Sequence, residues 1–379
     1  MEYFKCAHPS KWDFESYKEH LAQGKTRQPN LRLLVTKYKH GLQLMKRRRG
    51  CSTDESYQPD AAISYNYGEL LKKQKYVLEL NELGNITKEK VIYETDCESS
   101  LDERLLLSSI MYHSTCPAHL LLHPYTFSDN IYAEIRKWRR SRVSRAQYFP
   151  TAFTPSDPPT EEDILQRNLG SFLVYLTETM DRASLLPNHK QSEIDYIVQN
   201  VSILMKLIFD STLTLNIAWE KPSVTNKDTN GKLLTHDFLI HTSHQEIGCG
   251  EIKVNEASKK LQEEDRARLG ERLKRQLHSR IRQAKSTREF FVFGVFISGP
   301  KMELYRSSFS KENGYDFVLL SNITLPTTDT TYTSLEESLE VLFSFKDSII
   351  NTTQNTSEYE QPYIYHEYST LLKPTVSFI

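Results

Sequence analysis

From residue 192 to residue 325 the hydrophobic period switches several times, and the order of those switches limits the fold more than any other feature of the chain. Segment 192–210, SEIDYIVQNVSILMKLIFD, places Ile194, Ile197, Val198, Val201, Leu204, Met205 and Ile208 at helical spacing, with Ser192 as a cap. Three strand-like runs follow: TLTLNIAWE at 212–220, LLTHDFLIH at 233–241 and IGCGEIKV at 247–254, the last two joined by a short polar turn. A charged segment over roughly 256–285 reads as a long helix. REFFVFGVFISG, MELYRSSF and DFVLLSNITL then read as strands, and 334–350 as an amphipathic helix. Helices interleaved with strands in this order predict an α/β (mixed α+β) fold, with helices flanking a central mixed sheet.

Upstream the signals are coarser. YFPTAFTPSDPPTEED, residues 148–163, carries four prolines and few core residues, so the main boundary is expected there. That divides the chain into 1–150, 151–355 and a tail over 356–379. After the prolines, Thr160 and Asp163 resemble a capping box, and Ile164, Leu165, Leu169, Phe172, Leu173 and Leu176 follow helical spacing. Before them, LDERLLLSSIMYH (101–113) and SDNIYAEIRKWRRSRVSRAQY (128–148) look helical, so the N-terminal part is expected to be mostly α. It is also the basic part: residues 1–150 hold 24 Lys and Arg against 18 Asp and Glu, leaving 24 against 31 in the rest. A basic half suggests a nucleic-acid partner. A hydrophobic fraction of 38% with 11% aromatics suffices for a core. Five scattered cysteines, Cys6, Cys51, Cys97, Cys116 and Cys249, read as an intracellular, reducing compartment. No apolar run reaches the ~18 residues of a membrane span, and the first twenty residues show no secretory apolar stretch.

The chemistry concentrates in the hairpin. In GEIKV, residues 250–254, Glu251 and Lys253 lie two apart and share one face of a strand. Asp237, on the strand before the turn, is as far from residue 244 as Glu251 is. A symmetric antiparallel hairpin makes the two direct partners, with Cβ atoms about 5 Å apart. Phe238, Ile240 and Ile252 then face a core, although a bulge at Gly248 or Gly250 would break the register. Like charges placed opposite each other destabilise a sheet, and a cation between them relieves the conflict. Mg²⁺ is held in this way, by one or two carboxylates with waters and substrate phosphates. Glu193, near the start of the amphipathic helix and at the edge of its stripe, can reach the same place. The plainer reading is a solvated strand face with a weak ion pair.

Glu193 on a helix, Asp237 on one strand and Glu251-Ile252-Lys253 on the next, followed by a helix and more strands, resemble the PD-(D/E)XK nuclease superfamily. The likeness covers roughly residues 190–320. It implies a restriction-endonuclease-like core and Mg²⁺- or Mn²⁺-dependent phosphodiester hydrolysis of nucleic acid, DNA rather than RNA. By that resemblance Asp237 and Glu251 ligate the metal, with the Ile252 carbonyl a further candidate, and Glu193 does so directly or through water. Lys253 orients or deprotonates the attacking water, or steadies charge on the phosphate. The chain also resembles a group of fungal proteins sharing its SEIDYIV, WE and GEIK segments, which assigns no activity. Two departures stand out: His236 precedes Asp237 where the family name has Pro, and no Tyr accompanies Gln276 or Gln283 on the following helix. An alternative keeps the fold without catalysis, as a module binding nucleic acid or protein.

Other segments are weighed against this site. Arg268, Arg272, Arg275 and Arg282 on the long charged helix could line a phosphate channel, or belong to a solvated helix of i,i+4 pairs. Around EIRKWRRSRVSR (134–145), Ile131, Ile135 and Trp138 form an apolar stripe that leaves Arg136, Lys137, Arg139 and Arg140 outward, a candidate nucleic-acid surface with Trp138 either stacking on a base or filling the core. KRRR at 46–49 is a candidate nuclear-import or phosphate patch. His113, Cys116, His119 and His123 fall at ligand-like intervals, but Leu120–Leu122 dominate the segment and no Cys-x₂-Cys partner exists, so zinc is not expected there.

Overall fold

The computed structural model describes residues 74–80, 86–93, 101, 104–105, 108–185, 192–210, 214–227, 233–253, 258–353, 358, 360–373 and 377–378. KRRR at 46–49 and three of the cysteines, Cys6, Cys51 and Cys97, lie outside them.

Among the described residues the first strands are β1 (Gln74–Leu80) and β2 (Ile86–Tyr93), an antiparallel pair, and β3 (Ile110–His113). Helix α1 (Asp129–Ser144) follows, then α2 (Glu161–Leu185). The latter opens on the expected reciprocal cap: Asp163 N–H donates to Thr160 Oγ1 (3.2 Å) and Thr160 N–H donates to Asp163 Oδ2 (2.9 Å). The described part of 1–150 thus holds three strands beside one long helix, where the sequence suggests mostly helix. IMYH at the end of LDERLLLSSIMYH pairs parallel to a sheet edge; an apolar run that short fits either period, and tertiary pairing decides. Contacts also cross the prolyl stretch, because Trp138 on α1 is fully buried and donates from Nε1 to Thr177 Oγ1 on α2 (2.9 Å).

The amphipathic segment is one continuous helical rod with a change of pitch. It comprises α3 (Glu193–Tyr196), a π turn over Ile197–Val201 and α4 (Ser202–Phe209), and the Ser192 side chain caps it by accepting from Asp195 N–H (3.1 Å). A π turn closes i→i+5, so it brings Tyr196 and Val201 to the buried face and rotates the first turn out of the expected stripe. Ile194 and Val198, expected in the core, are therefore 63% and 55% exposed.

Next come β4 (Asn216–Trp219), β5 (Pro222–Lys227), β6 (Leu233–Thr235), β7 (Phe238–His241) and β8 (Glu246–Lys253). Helix α5 (Lys259–Gln283), capped by Ser258, leads to β9 (Phe291–Ser298), β10 (Lys301–Ser310), β11 (Gly314–Thr324), α6 (Leu335–Ile350) and a short β12 (Ser377–Phe378). The central sheet is seven-stranded and mixed, in the order β3-β11-β10-β9-β8-β7-β4. β4, β7 and β8 form an antiparallel meander, and β9 returns parallel to β8 after the α5 crossover. The fold is thus mixed α/β, a central sheet flanked by helices.

Strand alternation loads both faces of this sheet. Phe238, Ile240, Ile252, Phe293 and Val295 join the core that includes residues of α1, α2, α4 and α6. Leu239, Cys249, Phe296 and Tyr305 face the other core, which contains Leu269, Leu273 and Leu277 of α5. A Cβ on Gly250 would run into the Phe238 ring, so glycine there lets that ring lie across the strand.

Candidate active site

The hairpin register follows the sequence reading. Phe238 pairs with Gly250 and Leu239 with Cys249, so Asp237 and Glu251 are the next positions outward. The bulge falls between Ile240 and His241, on the turn side of this pair. Asp237 stands just outside β7 and is pinned twice. Its carbonyl accepts from Glu220 N–H (2.9 Å), a residue at φ 45 directly after β4. Its Oδ2 accepts from Ile252 N–H (2.5 Å), taking the place of a ladder bond. Burial, first of all, pushes the Asp237 carboxyl above its usual range, against the Ile252 N–H and the cations Lys253 and Arg272; Asp265 adds to the rise.

Glu251 is only 7% exposed. It lies on the strand face that meets α5, where the Arg272 guanidinium makes an ion-pair contact with its Oε1. His236 Nδ1 is 3.7 Å from the same oxygen and 3.5 Å from Arg272 Nη1. Oε1 is buried and receives no hydrogen bond. His236 is neutral: burial, with Arg272 and Arg275 nearby, lowers it to about 3. The two carboxylates of the hairpin therefore lean on different donors, Asp237 on the backbone of β8 and Glu251 on α5.

Lys253 completes the strand's contribution. Its Nζ is 3.9 Å from Glu193 Oε1, so the structure brings together the helix acid and the strand amine that the sequence singles out. A chain of bonds sets this distance. Lys253 carbonyl accepts from Gly299 N–H (2.9 Å), and Gly299 carbonyl accepts from the Tyr196 hydroxyl, one turn along from Glu193. Gly299 sits at φ 54, a conformation that suits glycine. Burial raises the Glu193 carboxyl, opposed by Lys253 and reinforced by Asp237 and Asp265.

Asp265 and Tyr196 belong to this neighbourhood without having been marked in the sequence. Asp265, on α5, is 2% exposed; Oδ1 accepts from Arg268 Nη1 (2.9 Å), and buried Oδ2 has no hydrogen-bond partner. A signal existed, since Asp265 lies four residues before Leu269 and eight before Leu273, on the apolar stripe of α5. A carboxylate on such a stripe is either paired or functional.

Arg268 and Arg272 are thus engaged by Asp265 and Glu251, with the Arg268 side chain 46% and that of Arg272 15% exposed. On α1, Arg136 and Lys137 are exposed, with Arg136 over the Tyr132 ring (5.6 Å) and Lys137 donating to Thr151 (2.9 Å). Arg140 is exposed, and Arg139 pairs with Glu336 (3.1 Å). Trp138 fills the core and is closed to base stacking. His113 Nε2 bonds Asp316 Oδ1 (2.9 Å), Cys116 points to the Pro117 carbonyl (3.6 Å), and His119 and His123 are exposed.

Among the described residues, no three His, Cys, Asp or Glu side chains stand close enough together to hold a metal ion. The donor chemistry nevertheless suits a hard divalent cation: all-oxygen, with a buried Asp265 oxygen that has no hydrogen-bond partner, and with the Glu193 and Asp237 carboxyls pushed above their usual range by burial first and neighbouring acids second. Magnesium needs only one or two of them. No helix among the described residues is long and apolar enough to cross a membrane. No family model, curated protein or solved structure matches the chain.

Proposed function

We propose that the protein is a metal-dependent nuclease of the PD-(D/E)XK type, hydrolysing phosphodiester bonds of nucleic acid, DNA in preference to RNA. The observation that carries the reading is the placement of Lys253 against Glu193, with Asp237 and Glu251 as register neighbours on adjoining strands. The succession of helix, antiparallel meander of β4, β7 and β8, crossover helix α5 and parallel β9 supports it, because it presents these residues at one end of the sheet.

Asp237 and Glu251 would hold Mg²⁺ or Mn²⁺, with Glu193 and Asp265 within reach through water. An ion held there would supply a water of lowered pKa and neutralise charge on the phosphate. The chain's own residues do the rest. Ile252 N–H fixes one Asp237 oxygen and leaves the other for binding. Lys253 offers N–H donors to the phosphate oxygen on which charge develops. Glu193, with its raised proton affinity and its oxygen beside Lys253 Nζ, takes up a proton from the attacking water side and returns it to solvent.

The test is nicking of plasmid DNA by the purified full chain with Mg²⁺ or Mn²⁺. Cleavage is expected, and Asp237→Ala and Lys253→Ala should each abolish it. Cleavage surviving both changes assigns the activity to a contaminant, and an intact protein that never cuts leaves the same fold as a binding module.

A further inference from the structure

Glu251 is buried, and a buried carboxylate needs a cation or several donors to remain ionised. Here that cation is Arg272, whose guanidinium lies against Oε1. His236, the other close neighbour of Oε1, is fully enclosed, and its Nδ1 stays 3.7 Å away, beyond hydrogen-bonding reach. A guanidinium packed against Oε1 fills the space from which a metal ion would approach that oxygen, and the two positive charges repel. The neighbourhood is already near balance, with Glu193, Asp237, Glu251 and Asp265 facing Lys253, Arg268 and Arg272. Taking up a dication without losing a resident cation would overturn that balance.

Building on the metal-binding reading above, we propose that Arg272 is the resident counter-ion of Glu251, exchanged for the divalent cation when the site loads, and that the released guanidinium turns to the substrate phosphate that arrives with the ion. Two features fit this second half. The Arg272 side chain is 15% exposed, so it has an outlet that the enclosed His236 lacks. Its planar fork matches phosphate bidentately, as an ammonium does not. Arg268, seated on Asp265 one turn earlier on the same helix, holds its own carboxylate and leaves Arg272 the one that Glu251 must give up.

The experiment is a calorimetric Mn²⁺ titration of the full chain, with melting followed in the presence and absence of the ion, for wild type, Arg272→Gln and Arg272→Lys. Arg272→Gln should bind Mn²⁺ at least about tenfold more tightly than wild type, melt lower without the ion and gain more on its addition. Arg272→Lys keeps the charge but loses the fork, and should bind Mn²⁺ more tightly than wild type by a smaller factor. That keeps the test intact if the glutamine variant does not fold. Affinity unchanged or weakened in the folded variants overturns the exchange, as does absence of Mn²⁺ binding in all three proteins. The nuclease reading fails on different grounds: Mn²⁺-loaded wild type that leaves nucleic acid uncut, a result the titration does not register.

Discussion

Replacing His278 tests how the α5 face is solvated, and its size follows from the structure. His278 Nε2 meets the Tyr315 hydroxyl at 2.6 Å, and burial, first of all, lowers its pKa to about 3 from 6.5, with Lys274, Arg282 and Arg275 adding to the fall. The unfolded chain binds a proton at ordinary histidine pH and the folded chain does not. Stability from this residue is therefore complete above the unfolded value and is lost as pH falls from about 6.5 toward 3. At pH 5.5 the loss from one such histidine is about 1.4 kcal/mol relative to pH 7.5. Raised carboxyls at Glu193 and Asp237 act in the opposite sense as the pH falls into the carboxylate range, so the wild-type curve alone mixes both. Urea unfolding of wild type and His278→Gln, each at pH 7.5 and 5.5, removes the mixture. The variant gives up the Tyr315 hydrogen bond and is less stable at pH 7.5, but its deficit should shrink by about 1.4 kcal/mol at pH 5.5. A deficit that stays constant between the two pH values, or grows, refutes the claim that His278 is held neutral by burial.

Tyr196→Phe removes the hydroxyl that holds the Gly299 carbonyl, and should cost about 1 kcal/mol in urea unfolding while lowering cleavage by more than the stability loss accounts for. Equal cleavage would make the bond purely structural. Trp138→Ala empties a fully enclosed site and removes the hydrogen bond to Thr177 Oγ1, so a loss of about 3–5 kcal/mol is expected from denaturant curves; under 1 kcal/mol would contradict the packing described. Exchanging exposed Arg136 and Arg140 together for Ala should weaken DNA retention and flatten its dependence on salt, by about one unit of slope for each phosphate no longer neutralised. An unchanged slope would remove α1 from the binding surface.

What the sequence made legible is what local periodicity controls. The hairpin register followed from counting outward from the turn, because a period of two leaves little freedom once one face is buried. The Thr160–Asp163 and Ser192 caps were readable for the same reason: a cap is a bond across three residues. What escaped depends on distant partners. A π turn in 197–201 rotates Ile194 and Val198 into solvent, and nothing in their spacing distinguishes it from a regular turn. IMYH becomes a strand because β11 offers an edge two hundred residues away. LLTHDFLIH splits into β6 and β7 at His236-Asp237, where the chain bends to put Asp237 on the Ile252 amide. Arg272 looked like one cation among many on a charged helix, and only the packing of α5 on β8 selects Glu251 as its partner.

The most direct measurement is a crystal structure of the full chain soaked in Mn²⁺, with anomalous difference maps computed around the hairpin. A peak bonded to oxygens of both Asp237 and Glu251 at about 2.1 Å is expected, with Lys253 Nζ beside it and Arg272 withdrawn. A well-ordered hairpin without a peak, or a peak elsewhere with the Asp237 and Glu251 carboxylates untouched, contradicts it.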